Sequence, residues 1–275
     1  MADTGKPFKR IIVGLPHNPR DYPAISTLAR LAKQLGVDLI GTHFKDVDLI
    51  QLTALPSTRE FRANGWQPLS AAQLTGDLER LSAEAQRMFS EIVQQHRASG
   101  SFQLAKGSAT EILLQAGADD IVAIIDPANP LERITRQFKE LVNIIFQTTA
   151  SVLIAPSSPS IASGRIVATG SRIGDPAIAA AIDIAIAAKE PLTIIPLSRP
   201  DPTLARAVER ARQSGVDTIV TEPMLHGADL PSLATMSYNL SGKLLIADRE
   251  RLASADRSLA RLRVQIPLLL VRSRA

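Results

Sequence analysis

The strongest constraint on the fold is an order of apolar runs and amphipathic segments that occurs twice along the chain. Each occurrence opens with a predicted strand, helix and strand: 10–15, 23–35 and 37–44 in the first, and 165–169, 177–189 and 192–197 in the second. Short apolar runs bounded by prolines and glycines are typical of buried parallel strands, and apolar residues at 3.6-residue spacing are typical of core-facing helices. Each half of the chain therefore begins with a β-α-β unit.

The same alternation continues through both halves. In the first half we predict a helix at 78–96, a strand at 101–105, a helix at 109–117, a strand at 120–125, a helix at 131–147 and a strand at 151–155. In the second we predict a helix at 202–213, a strand at 217–221, a helix at 231–240, a strand at 243–247, a helix at 258–264 and a strand at 268–271. Short right-handed crossovers would build each set into a parallel sheet covered on both faces.

A small, polar, proline-bearing stretch, Pro156 to Gly164, separates the two halves and is predicted to be a linker. With no gaps, four residues of the first half fall on identical residues of the second: Ala24, Ile25, Ala32 and Leu39 on Ala177, Ile178, Ala185 and Leu192. A chain of 275 residues also exceeds the usual ~100–200 residues of one domain. We predict an α/β protein of two tandem Rossmann-like domains, 1–157 and 158–275, each with a five-stranded, mainly parallel sheet flanked by helices.

Several segments resemble the universal stress protein family. They are AISTLARLAKQLGVDL at 24–39, the strand end His43-Phe44, and ADDIVAIID followed by a helix and SVLIAP within 118–156. The resemblance implies a non-catalytic binding or regulatory protein of the stress response. It also implies that the two fifth strands, 151–155 and 268–271, pair edge to edge as an intramolecular pseudo-dimer, with a further homodimer left open.

The nucleotide-binding motif of that family is missing from this chain. In nucleotide-binding members, an acidic residue ends the first strand, and glycines spaced G-x2-G-x9-G before Ser or Thr let backbone N–H groups approach the phosphates. The acidic position falls on Pro16, and the glycine positions fall on Ile125, Ala128 and Phe138, with Lys139 at the hydroxyl position. We therefore expect a lost or altered ATP loop and no certain cofactor, with ATP or another adenine nucleotide as the candidate ligand.

Polar residues at the ends of two strands are the best candidates for a pocket in the first half. His17 and Asn18 follow the first strand, and Asp126 and Asn129 follow the fourth. Because open parallel sheets bind ligands at the carboxyl ends of their strands, these residues are expected to converge there. Ordinary loop residues beside prolines are the alternative reading.

The second half offers one candidate anion site. Gly170, Ser171 and Arg172 lie in a glycine-bearing turn that leads into a helix, where N–H groups and an arginine could hold a phosphate. The alternative is a tight turn with Asp175 as the helix cap.

Composition excludes several classes of function. The absence of cysteine removes thiol chemistry and disulfides, and the four histidines lack metal-ligand spacing. A net charge of +4 is too small for a nucleic-acid binder, and the arginines after Arg249 read as a solvated helix face. No apolar run reaches membrane-spanning length and no signal-peptide core follows Met1, so we expect no membrane partner and a cytoplasmic location.

Three hypotheses follow. The first is a non-enzymatic universal stress-type binding protein with an altered ATP loop and a small-molecule or nucleotide ligand. The second is an adenine-nucleotide binder or slow ATPase that uses a divergent pocket around His17, Asn18, Asp126 and Asn129. The third is a structural partner-binding module, whose contact surface would be the long excursion between Lys45 and Thr75.

Overall fold

The computed structural model describes residues 8–16, 18–45, 53, 58–62, 65–68, 70–106, 110, 114–158, 164–224, 229–252 and 264–272. The strands of the first half are β1 (Arg10–Gly14), β2 (Asp38–Lys45), β3 (Arg59–Arg62), β4 (Gly65–Pro68), β5 (Gly100–Lys106), β6 (Asp120–Asp126) and β7 (Ser151–Pro156). Its helices are a 3-10 turn (Pro19–Asp21), α1 (Tyr22–Leu35), α2 (Ala71–Gln95), α3 (Pro130–Arg133) and α4 (Arg136–Ile144).

The second half has a shorter set of elements. Its strands are β8 (Arg165–Thr169), β9 (Leu192–Ile195), β10 (Thr218–Val220), β11 (Gly242–Asp248) and β12 (Leu268–Val271). Its helices are α5 (Pro176–Ala188), α6 (Pro202–Gln213), α7 (Leu230–Asn239) and α8 (Arg249–Leu252).

Ten strands form one continuous sheet in the order β10-β9-β8-β11-β12-β7-β6-β1-β2-β5. Within each half the five strands of this sheet are parallel and follow one order. The first strand of each set, β1 or β8, is central. The third and fifth strands of each set are outermost: β5 and β7 in the first half, and β10 and β12 in the second. The predicted fold class of two Rossmann-like repeats is therefore confirmed. The separate hairpin of β3 and β4 lies outside this sheet.

The two halves join through their fifth strands, as the resemblance implied. β7 and β12 pair antiparallel, with Leu269 opposite Leu153, and both leucines are fully buried. Because an antiparallel pair of equivalent strands relates its two sides by a local twofold, the halves form a pseudo-dimer within one chain. The pairing also covers two apolar strand edges that would otherwise invite association.

The repeat also holds residue by residue. All eight residues matched between the halves, from Ala24 and Ala177 to Leu39 and Leu192, have no exposed surface. They lie on α1, β2, α5 and β9, which have the same places in the two halves. The few identities therefore mark equivalent core positions.

Both faces of the sheet bury residues from both halves. One cluster includes Ile25 of α1, Phe89 of α2, and Ile178 of α5. A second, on the other face, joins Val142 of α4 to Leu233 of α7. In the described part of the chain, no helix combines the length and the apolar character needed to cross a membrane.

Two helix predictions in the first half need correction. α2 begins at Ala71 rather than 78, because the Ser70 side chain accepts the Gln73 N–H and caps the helix there. The irregular excursion is therefore shorter than predicted, and Leu81 of α2 is half exposed. The helix predicted at 258–264 and most of the one at 109–117 lie outside the described residues.

Candidate functional site

The main cavity of the first half lies at the carboxyl ends of β1 and β6. The chain leaves β1 toward β2 on one side, while β6 lies on the other, so this is the crevice where open α/β sheets bind ligands. The cavity has a volume of about 390 Å³, within the range of roughly 300–1,000 Å³ that is usual for small-molecule sites. Its walls are mostly apolar, with Ile12, Val122 and Phe44 among the lining residues.

One wall is formed by a helix that breaks where a single helix, 131–147, was predicted. α3 ends at Arg133, and Thr135 then adopts an extended conformation and caps α4 by accepting the Phe138 N–H. The break leaves Ile134, which lies between the two helices, 65% exposed. It places Glu132, Thr135, Phe138 and Leu141 along the cavity.

Asp21 is the main polar residue of the cavity that sequence reasoning missed. Its side chain is almost fully buried and lines the cavity, and its Oδ1 accepts the Ala128 N–H at 3.0 Å. Burial raises the pKa of Asp21, and the nearby Glu132 carboxylate raises it further, while the Ala128 N–H opposes both. Asp21 occupies the N-cap position of α1, but its side chain makes no capping hydrogen bond there.

The short turn Pro19–Asp21 explains why Asp21 was missed. The family motif places its acidic residue directly after the first strand, where this chain has Pro16. Here the 3-10 turn carries a carboxylate back to the same crevice from the start of α1. The signal available in the sequence was an aspartate after Pro19 that precedes the helix by one residue.

Thr42 and Glu132 are also among the polar residues that line the cavity. Thr42 of β2 is 1% exposed, and its Oγ1 has no hydrogen-bond partner among the described residues. Glu132 is partly buried at the opposite side, on α3. A buried hydroxyl without a partner is costly, so a bound molecule that satisfies Thr42 would gain by it.

The residues described as lining the cavity include two carboxylates and no lysine, arginine or histidine. Arg133 follows Glu132, but it forms a buried ion pair with Asp126, with 2.7 Å between Nε and Oδ1. The cavity therefore has acidic character on an apolar background.

The predicted first-half residues divide into three groups. Pro16 and Asn18 line the cavity, and the Asn18 side chain also accepts the Arg20 N–H. Asp126, Ala128 and Asn129 bind other protein groups beside it: Asp126 pairs with Arg133, Ala128 donates to Asp21, and Asn129 caps α3. Lys139 is exposed and is not a lining residue, and His17 lies outside the described residues.

In the turn predicted to bind an anion in the second half, the hydrogen-bond donors already bind a side chain of the protein. The buried Asp175 carboxylate accepts the Ser171 and Arg172 N–H groups at 2.6 and 3.1 Å, and Arg172 Nε at 3.0 Å. Asp175 therefore stands at the start of α5 but bonds back to the turn after Gly170, rather than capping its own helix. Its carboxylate takes the hydrogen bonds that an external anion would need.

Two other features bear on the site. In the described part of the chain, no three histidine or carboxylate side chains converge in a way that could hold a metal ion.

Arg249, expected on a solvated face, is instead 3% exposed. It donates to the backbone oxygens of Ile145 and Ala150 at 2.8 and 3.1 Å, and so ties the second half to the end of α4.

No protein-family model and no curated protein matches the chain. Among solved structures, a universal stress protein from Archaeoglobus fulgidus DSM 4304 is similar over 96% of both chains, with 10% identity and a TM-score of 0.63. The cytoplasmic domain of a prokaryotic cation chloride cotransporter also covers 96% of both chains, at 14% identity and a TM-score of 0.49. A universal stress protein in complex with cAMP covers 55% of this chain and 98% of its own, at 11% identity and a TM-score of 0.36.

The likeness to the archaeal protein extends over both halves of the chain, and it is a likeness of fold. The two halves of this chain repeat one strand order and join through β7 and β12. The chain therefore has the universal stress protein fold, present twice within a single polypeptide.

Proposed function

We propose that the protein is a non-catalytic, ligand-binding regulator that takes a small, mainly apolar organic molecule in the crevice between β1 and β6. The observation that carries this proposal is the 390 Å³ cavity, which has apolar walls and a few buried polar groups at the expected ligand position of the fold. Domains of 1–157 and 158–275 remain our proposed boundaries.

The polar groups of the crevice argue against a nucleoside triphosphate. The Ala128 and Phe138 N–H groups, at two of the family's glycine positions, donate to Asp21 and Thr135. Phosphate oxygens would need such N–H groups to be free, or basic side chains nearby. They would instead meet the carboxylates of Asp21 and Glu132, which repel anions.

The same groups support a binding role rather than catalysis. Covalent catalysis requires a nucleophile held against a general base. The Thr135 hydroxyl donates to the Glu132 backbone oxygen, and the Thr42 hydroxyl has no partner. Neither hydroxyl has the hydrogen bond to a base that would activate it.

Calorimetric titration with a neutral apolar probe tests the proposal. We expect tryptophol to bind the purified protein and magnesium ATP to give no heat of binding. Leu141→Trp, which fills the cavity, should weaken tryptophol binding at least about tenfold, a change of about 1.4 kcal/mol. Leu81→Trp, at a half-exposed position on α2, is the matched control and should leave it unchanged. Binding of magnesium ATP, or equal behaviour of the two tryptophan variants, would count against the proposed function.

A further inference from the structure

We propose that the ligand of the β1–β6 crevice is an organic cation, with an apolar body and a protonated nitrogen held between Asp21 and Glu132. This inference rests on the proposed function and names the chemical class of its ligand. It does not follow from the family motif, because the acidic position of that motif is Pro16 in this chain.

Asp21 provides the first part of the argument. Asp21 is 3% exposed as a residue, yet it lines the cavity, and its carboxyl group has a single hydrogen bond among the described residues, from the Ala128 N–H to Oδ1. No basic side chain of the described residues pairs with it. A buried carboxylate without a cation is costly, because burial removes the water that stabilises the charge.

Glu132 provides the second part. It lines the same cavity from α3 and carries no ion pair in the described part of the chain. Its charge acts on Asp21 by like-charge repulsion. Two carboxylates that repel each other across an apolar cavity are stabilised together by one positive charge, because the cation attracts both.

Thr42 provides an independent observation. Thr42 is a lining residue of this cavity, and its buried Oγ1 has no hydrogen-bond partner among the described residues. An ammonium group has three N–H donors and no acceptor. A group that only donates suits a lining of two carboxylates and a hydroxyl oxygen, whereas an anion would be repelled by both carboxylates.

The remaining walls specify the body of the ligand. Phe44, Phe138 and Leu141 line the cavity. Aromatic or aliphatic groups of a ligand that pack against them would be removed from water, which favours binding. The cavity volume of about 390 Å³ is large enough for a ring system with a short side chain. An aromatic or aliphatic amine, amidine or guanidine fits both requirements.

Three indole probes of equal shape and different charge test the inference at pH 7.5 by calorimetric titration: tryptamine, tryptophol and indole-3-acetate. We expect tryptamine to bind at least about tenfold more tightly than tryptophol, and indole-3-acetate to bind more weakly than both. A charged hydrogen bond contributes about 1.5–3 kcal/mol, which corresponds to a factor of about 10–100. Equal affinities for all three probes would overturn the inference and leave the proposed function intact.

Conservative variants assign the effect to the two carboxylates. Asp21→Asn keeps an acceptor for the Ala128 N–H, and Glu132→Gln keeps the shape of the side chain. Each should weaken tryptamine about tenfold and change tryptophol by less than about twofold. Glu222→Gln, at an exposed site in the second half, is the control and should change neither. If no probe binds the native protein, the proposed function fails as well, so the two failures are distinguishable.

Discussion

Asp21 is a polar residue of the cavity whose role is not evident from its neighbours in the sequence. The residue stands beside the start of α1, where an aspartate usually caps the helix. Here its carboxylate reaches the Ala128 N–H across the crevice instead. Its role depends on a contact more than one hundred residues away, which no local pattern could predict.

The raised pKa of Asp21 leads to a stability prediction. Because the folded state holds this proton more tightly than the unfolded chain, ionising Asp21 costs stability as the pH rises above its usual value of 3.8. The cost is absent well below that value and complete above the raised pKa. Asp21→Asn should therefore increase the melting temperature at pH 7, and this gain should shrink as the solution is made more acidic.

Differential scanning calorimetry of both proteins between pH 4.5 and 8 checks this dependence. A gain that is independent of pH would mean that Asp21 is not buried in its charged form. Asp201→Asn, at an exposed aspartate whose pKa is lowered by the Thr203 hydroxyl and N–H, should behave in the opposite way.

Thr42 gives a second prediction at this scale. Thr42→Val removes a buried hydroxyl without a partner and should raise the free energy of unfolding by about 1 kcal/mol. Thr218→Val removes a buried hydroxyl that donates to the Val216 carbonyl, and should lower it by about 1 kcal/mol. Urea denaturation measures both. Equal losses in the two variants would show that the Thr42 hydroxyl has a partner.

A cavity lies at the strand ends where the sequence predicted one, but only some of its lining residues were among the predicted ones. Pro16 and Asn18 were predicted because they follow directly from the end of β1. Glu132 and Thr135 were not, because the apolar spacing from Leu131 onward favoured an unbroken helix. Thr135 interrupts that helix, because its hydroxyl accepts the Phe138 N–H and caps α4.

Individual elements depend on close contacts that can be tested with glycines. A Cβ at Gly41 of β2 would lie 2.6 Å from the Phe89 ring of α2, so Gly41→Ala should cost about 1–3 kcal/mol. A Cβ at Gly76 of the same helix would have no heavy atom within 4 Å. Gly76→Ala should stabilise by about 0.5–1 kcal/mol, because alanine favours the helix. Urea denaturation compares them, and a loss at both positions would contradict this packing of α2 on β2.

The elements of the second half were easier to predict than those of the first. α6 and β12 agree with their predicted bounds because Asp201 and Pro202 begin the helix and an unbroken apolar run forms the strand. In the first half, the hairpin of β3 and β4 has no strong sequence pattern. Its Phe61 and Trp66 rings stack edge to face at 5.4 Å and remain exposed. Exposed aromatic pairs do not produce the spacing of a core strand.

At the scale of the whole molecule, the two halves are tied by Arg249. Its guanidinium donates to two backbone oxygens at the end of α4 and the following loop. Arg249→Met would leave both buried oxygens without these bonds and should lower the free energy of unfolding by about 2–3 kcal/mol. Arg206→Met, at an exposed site on α6, is the matched control. Similar losses for both variants in urea would show that the link contributes little.

The duplicated architecture was predictable because the same order of strands and helices occurs in both halves of the sequence. The continuous sheet follows from the apolar character of β7 and β12, which need a partner at their edges. The polar lining of the cavity was not predictable, because Asp21, Thr42 and Glu132 all contribute to it. These residues come from a turn, a strand and a short helix that are far apart along the chain.

The chemistry of the crevice is tested most directly by a crystal structure of the protein with tryptamine. We expect the indole ring between β1 and β6 against Phe138 and Leu141, with the ammonium nitrogen within hydrogen-bonding distance of Asp21 and Glu132. An empty crevice with tryptamine bound elsewhere, or an amine turned away from both carboxylates, would contradict this account.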